Sequence, residues 1–398
     1  MNTAYKLQGI HRHYEWGGKS FIPQLMHVDN ILGKPYAEYW MGAHPSAPAI
    51  AESTQGAFAL DQLIQENKIQ FLGARTAAKF GSLPYLFKIL DVEKMLSIQV
   101  HPSKANAEIG FKKEQLDGIP IDAAYRNYKD QNHKPEVMVA LSDFWLLHGF
   151  MPAIALKERL KSLSPLQALL PIFGMDDYAG LYTHFMRLDN EAADAILKPL
   201  MLLAVEEVAA GKVDKSHPHW WANKYYSGVV PESNIDKGIL SIYILNIVNV
   251  PKYQGVFQGA GLLHAYLEGQ NIELMANSDN VLRGGLTPKH IDIEELIQHI
   301  EFEPTNPTIL KGDVIGPFEI QFPCPVPDFG LTKIALMGGQ AYTNNTDSLE
   351  MFLVMQGAAI INGIELQLGE LAAVKAGESY EIKQIGSDTA ILFKSFVP

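Results

Sequence analysis

Gln99 and His101, two residues apart, and the distant Glu136 and His264 are the residue types that a single divalent cation would recruit. Side chains two apart share one face of a β-strand but point to nearly opposite sides of a helix. Gln99 and His101 therefore converge only if residues 96–101 are extended. Ser97-Ile98-Gln99-Val100-His101 alternates polar and apolar as that requires, with Ile98 and Val100 turned towards a core. Pro102 and Ser103 end the strand, and Ser103 is placed to cap a helix over residues 104–108. Lys134-Pro135-Glu136 repeats the two-residue spacing. It puts Lys134 and Glu136 on one face at the head of an apolar strand, where Pro135 predicts an edge or a bulge. Around His264, Gly259, Gly261 and Gly269 bracket a short predicted strand and place the imidazole near a turn.

Two imidazoles, a carboxylate and an amide oxygen suit a borderline ion such as zinc, with room for water or substrate. Iron, cobalt and manganese fit the same donors. Thiolate ligation does not, because Cys324 is the only cysteine. His101 and His264 are two of 13 histidines, and a lone histidine is most often a solvated or hydrogen-bonded residue, so spacing leaves both readings open.

These residues must be positioned by elements of different period. Residues 1–145 read as mostly β, with alternation in Tyr36-Ala37-Glu38-Tyr39-Trp40 and an apolar run in Tyr85-Leu86-Phe87-Lys88-Ile89-Leu90. From residue 154 to about 212 the period lengthens: Leu156, Leu160 and Leu163 share a helical face, as do Ile196, Leu200 and Leu203, with a kink or break expected at Pro199. Strand character resumes over 240–250 and continues to 286, and a short helix is expected over 292–300. The closing stretch alternates again, with turns at Asn362-Gly363 and Leu368-Gly369 that mark hairpins of a small β-barrel or sandwich. It contains no histidine, which makes it a structural companion. The expected partition is 1–145 and 240–310 for one discontinuous β domain, 146–239 for a helical insertion and 311–398 for a second β domain.

At 398 residues the chain can bury two or three cores. A net charge of −12 lacks the positive field that replaces phosphate counterions, so neither a nucleic acid nor an anionic membrane is an expected partner; a phosphate would need a local basic cluster. Residues 1–6 lack the apolar run of a signal peptide. No stretch approaches the roughly 18 apolar residues of a membrane helix, and a cytoplasmic location is expected.

Several motifs in order resemble those of the type I mannose-6-phosphate isomerases, zinc-dependent enzymes of the cupin fold. They include Trp16-Gly17, Tyr39-Trp40-Met41-Gly42-Ala43-His44-Pro45, Leu83-Pro84-Tyr85-Leu86-Phe87-Lys88, Gln99-Val100-His101-Pro102-Ser103-Lys104, His133-Lys134-Pro135-Glu136, His264-Ala265-Tyr266-Leu267 and Ser278-Asp279-Asn280-Val281-Leu282-Arg283-Gly284-Gly285. The likeness runs from near residue 10 to near residue 290 and is looser beyond. It implies two cupin-like jelly-roll barrels plus an α-helical domain, and one zinc per chain at Gln99, His101, Glu136 and His264. The implied reaction interconverts mannose 6-phosphate and fructose 6-phosphate through a cis-enediol, a step of mannose metabolism.

In that resemblance Arg283 matches the family's catalytic arginine, and Glu273 and Asp279 match polar active-site positions. Without the motif, Arg283 would read as a surface ion pair with Asp279. Ser97, Lys134 and Lys289 are the expected contacts to sugar and phosphate, and Trp16, Glu38 and His44 line the pocket or serve core and turn roles. The chain departs from many members at Gly269-Gln270 and at His13-Tyr14-Glu15-Trp16, away from the implied ligands. A monomer is compatible with all of this. A cupin-type oxygenase or a non-catalytic sugar-binding cupin would use similar residues. Because ligand histidines must be neutral, activity is expected to fall below about pH 6.5.

Overall fold

The structure, a computed structural model, describes residues 3–53 and 56–398. Its organising element is the strand His264–Ala276, far longer than the short segment expected between glycines. The upstream end of this strand pairs with Ile98–Val100 and Phe144–Phe150, and its downstream end pairs with Tyr85–Val92 and Glu136–Ala140. The change of partners coincides with a register shift between Tyr266 and Glu268 and with Gly269 at φ 124°. A Cβ at Gly269 would lie 2.7 Å from Phe144 Cδ2 and 2.8 Å from the Asp143 carbonyl oxygen, so only glycine lets the strand turn here. An extra residue in a strand reverses the alternation of faces beyond it. His264 and Glu273, nine positions apart, thereby come to face one interior.

Strand pairing gives a ten-stranded sheet that carries the site, a nine-stranded sheet and a four-stranded sheet. Among the described residues none closes into a barrel: on the main path of the ten-stranded sheet the end strands, Ile10–Arg12 and Leu245–Val250, are not bonded to each other, whereas closure needs an unbroken ladder. The expected mainly β chain with jelly-roll regions and a helical part is thus realised as facing sheets without closure. One apolar core, with Ile334, Phe352, Ile361 and Leu392, fills the space between the nine- and four-stranded sheets. Another, with Tyr5, Phe87, Leu274, Met351 and Phe393, joins the nine-stranded sheet to the site-bearing one. Ala4–Gln8 pairs with Leu371–Val374, so the N-terminal strand crosses the partition expected at residue 311 and ties the two β regions together.

Helices occupy much of 153–244 and cover one face of the site-bearing sheet. Their core includes Ile98, Val100, Ala265 and Leu282, so the apolar residues of the Ile98–Val100 strand do point away from Gln99 and His101. Asn190–Ala209 is one continuous helix despite Pro199. Buried Ala193, Leu197, Leu200, Met201 and Ala204 hold it, and such packing offsets the roughly 3 kcal/mol that an internal proline costs. Gly238–Ile244 is a wholly buried helix where a strand was expected, because a continuous apolar run does not distinguish the two. Asn362 and Gly363, at φ 45° and 85°, make the expected hairpin turn between Ala358–Ile361 and Ile364–Leu366. Gly369 instead links strands of two different sheets.

Candidate metal centre

Ile98–Val100 is a three-residue strand, and Gln99 is paired directly with His264 on one side and Arg283 on the other. His264 is in turn opposite His148. Residues directly opposite across a ladder share a face, so an imidazole, an amide and a guanidinium form one row. Glu136 opens the strand Glu136–Ala140, which lies between Gly255–Gln258 and His264–Ala276. The expectation of an edge or bulge at Pro135 is corrected: the proline precedes the first strand residue, and its carbonyl still accepts from Ala276 N at 3.1 Å.

His101, Glu136 and His264 are buried, and one ligand atom from each lies within 4.8 Å of the others. His101 Nε2 is 3.4 Å from Glu136 Oε1, and His264 Nε2 is 3.6 Å from Glu136 Oε2. Two ligands each about 2.1 Å from a tetrahedral ion are themselves roughly 3.4 Å apart, so these separations suit zinc. The tautomers fit as well. His101 Nδ1 is 2.9 Å from the Asn280 carbonyl oxygen and His264 Nδ1 is 2.9 Å from that of Leu262. Each Nδ1–H therefore donates to the backbone and leaves the Nε2 lone pair facing Glu136. Among the described residues His101 Nε2 is buried without a hydrogen-bond partner, which leaves its lone pair available to a cation. Gln99 lies in the same ladder row as His264, directly opposite it.

The electrostatics agree. Burial and the nearby Lys134 push His101 down to about 4, so it is neutral at ordinary pH. Burial alone would raise the Glu136 carboxyl, but Lys134, 3.2 Å from Oε1, and His101 hold it well below its ordinary value.

Beside these residues lies a second buried charge group, in which the expected active-site residue Glu273 and pocket residue Glu38 are joined by Lys88, to which no role was assigned from sequence. Lys88 Nζ sits 3.2 Å from Glu273 Oε2 and 3.8 Å from Glu38 Oε2, with the Trp40 ring 5.1 Å away. Tyr266 donates its hydroxyl to Glu273 Oε1 at 2.8 Å. Burial and the Glu136 charge raise the Glu273 carboxyl, while the two glutamates keep Lys88 protonated against the cost of its burial. The missed signal was a lysine inside the fully buried run of Tyr85–Val92.

Asp279 pairs with His44, Oδ2 to Nε2 at 3.6 Å, and not with Arg283. Arg283 is half-buried, has no carboxylate partner among the described residues, and has Lys289 and Lys129 as cationic neighbours. An unpaired cationic group of this kind is what a phosphate dianion needs in an otherwise acidic chain. Lys289 is exposed, and Ser97 is half-buried one position before the Ile98–Val100 strand. Trp16 takes the turn role, since its carbonyl accepts from Glu93 N and Lys94 N while its ring stacks on Tyr14.

A second trio, Glu207, His217 and His219, also brings ligand atoms together in the helical region. It suits a cation less well. Burial first, and Arg159 after it, depress both imidazoles, His219 Nδ1 already bonds Glu207 at 2.8 Å, and His217 and His219 open the helix Pro218–Tyr225 at its electropositive end.

Residues 4–153 match the family described as phosphomannose isomerase type I, catalytic domain. Mannose-6-phosphate isomerase of Escherichia coli (strain K12) is 36% identical, the alignment covering 94% of this chain and 95% of that one. The Homo sapiens protein of the same name is 31% identical, with 96% of each covered. Among solved structures, mannose 6-phosphate isomerase from Salmonella typhimurium bound to substrate (f6p) and zinc superposes with a TM-score of 0.88 at 33% identity, over 100% of both chains. A zinc-bound holo mannose 6-phosphate isomerase gives a TM-score of 0.87 at 33% identity, again over 100% of both chains. With this fold, these motifs and relatives matched over almost their whole length, the chain belongs to the type I phosphomannose isomerase family.

Proposed function

We propose that this protein interconverts mannose 6-phosphate and fructose 6-phosphate, with one zinc held by Gln99, His101, Glu136 and His264. The carrying observation is the convergence of two correctly tautomerised imidazoles on one carboxylate, one of them, His264, in the ladder row that also holds Gln99 and Arg283. Isomerisation moves a proton between C1 and C2 through a cis-enediol, and negative charge develops on oxygen as the proton leaves. When bound, zinc supplies Lewis acidity for that charge, an effect worth several kcal/mol.

The other tasks fall to the chain. Arg283 is the permanent cation next to Gln99, placed for the developing oxyanion or the phosphate. Lys134, Lys289 and Ser97 are the assigned donors to sugar and phosphate. Glu273, with its carboxyl raised and held between Lys88 and Tyr266, is the assigned proton carrier, since a carboxyl shifted towards neutral pH exchanges protons more effectively. Asp279, on His44, orients groups at the rim. All assigned residues come from one chain, so a monomer suffices. No described helix is long and apolar enough to cross a membrane, and the free thiol of Cys324 accords with the cytoplasm as the proposed location.

The test is a coupled assay of mannose 6-phosphate interconversion with elemental analysis of the same sample. Dialysis against a strong chelator should abolish turnover and added zinc should restore it. Full activity after verified metal removal refutes the proposal.

A further inference from the structure

Asn280 is wholly buried and lies outside regular structure, between His264–Ala276 and Leu282–Gly285. Its two ends do different things. The backbone carbonyl accepts from His101 Nδ1 at 2.9 Å. The side chain staples the segment that leads into Glu136: Oδ1 accepts from Lys129 N at 2.7 Å and Asp130 N at 3.2 Å. Nδ2 donates to the carbonyl oxygens of Asp130 at 2.8 Å and Asn132 at 2.9 Å, and to Asp130 Oδ1 at 3.2 Å. Asp130 closes the loop from the other side. Its carboxylate accepts from Ser278 Oγ at 2.9 Å, Asn132 N at 2.8 Å and Asp279 N at 2.7 Å.

We propose that Asn280 is a positioning residue for the metal centre. Its amide locks residues 129–132 against 278–280, and this lock sets both the carbonyl that aims His101 and the path by which the chain reaches Lys134 and Glu136. The inference rests on the zinc site proposed above. The chemistry requires an amide, because the lock needs acceptor and donor atoms on one short side chain, and an aspartate would set two carboxylates together. The carbonyl that fixes His101 survives any substitution at position 280, but its anchorage does not. Partners that orient a ligating histidine in this way typically account for 10–100-fold in metal affinity.

The experiment measures zinc affinity of the full-length protein, stripped and then titrated against a chromophoric chelator, together with the visible spectrum of the cobalt-substituted form. Asn280→Ala should weaken zinc binding by about 10–100-fold and alter the cobalt bands. A purely structural role would lower only the melting temperature of the metal-free protein. Asp130→Asn, which keeps the size of the side chain but turns one of its two acceptor oxygens into a donor facing an N–H or O–H group, should weaken zinc in the same direction by less, and it decides the matter if Asn280→Ala does not fold. Zinc affinity within twofold of the parent, with unchanged cobalt bands, overturns the proposal. His264→Ala separates the two failures. If it loses zinc while the Asn280 variant keeps it, only the positioning role falls; if both keep it, the zinc site itself is wrong.

Discussion

His264 sits directly opposite Gln99 across the ladder between their strands, although 164 residues lie between them. This pairing brings the two halves of the interrupted β region to one place. It also aligns His264 with Arg283, which faces Gln99 from the other side.

Substituting His264 with alanine should therefore remove a ligand without disturbing the sheet, because backbone bonds hold the register. We expect zinc affinity to fall by more than the roughly hundredfold associated with outer partners, with the far-ultraviolet spectrum unchanged. Equilibrium dialysis with elemental analysis checks this, and parental zinc stoichiometry would remove His264 from the ligand set.

Arg283→Ala should separate chemistry from metal binding. Loss of one preorganised cationic donor at a developing oxyanion costs about 10²–10³ in turnover, and zinc content should stay at the parental level. Lysine should rescue little, because a guanidinium and an ammonium present different donor geometries. Parallel loss of turnover and zinc would instead assign Arg283 to folding.

Lys88→Met tests the buried charge group. The ammonium offsets the charges of Glu273 and Glu38, and its removal leaves carboxylates uncompensated in the interior. Breaking a buried pair from one side costs roughly 3–5 kcal/mol, so urea denaturation should show a loss of that order, along with reduced turnover. A change below about 1 kcal/mol would show that water already screens the group.

Acid should destabilise the metal-free protein over a defined window. His101 and His148 are buried and pushed down to about 4, chiefly by desolvation, against about 6.5 in an unfolded chain. Between those values the unfolded chain binds protons that the native one does not. Stability is thus fully present above about pH 6.5 and lost as pH falls towards 4, at up to about 1.4 kcal/mol per pH unit for each histidine. Urea midpoints at pH 7 and pH 5 measure the slope, and His148→Gln should reduce it. Equal stability at both values would contradict the neutral burial of these imidazoles.

Much of the site was legible before folding because strand spacing is local. Alternation around Gln99 and His101 reports a face directly, the extended segment expected over 96–101 is a strand over its centre, Ile98–Val100, and Ser103 caps the following helix by accepting from Asn106 N at 3.2 Å. The length of that helix, Lys104–Leu116, exceeded the local signal. Lys88 and the proposed role of Asn280 were not legible, because a buried lysine or asparagine acquires its meaning from partners such as Glu273 and Asp130, which lie far away in sequence.

The sequence alone determined which donors exist, that no thiolate competes with them, and that two β regions flank a helical one. Only the tertiary structure decided that Gly269 and the adjoining register shift turn a long strand so that His264 and Glu273 face the same interior. Likewise, the N-terminal strand completes the sheet of the C-terminal region through a pairing that no local pattern encodes. Periodicity constrains a residue's face within its own element, whereas bulges, register and long-range pairing depend on the free energy of the whole packed assembly.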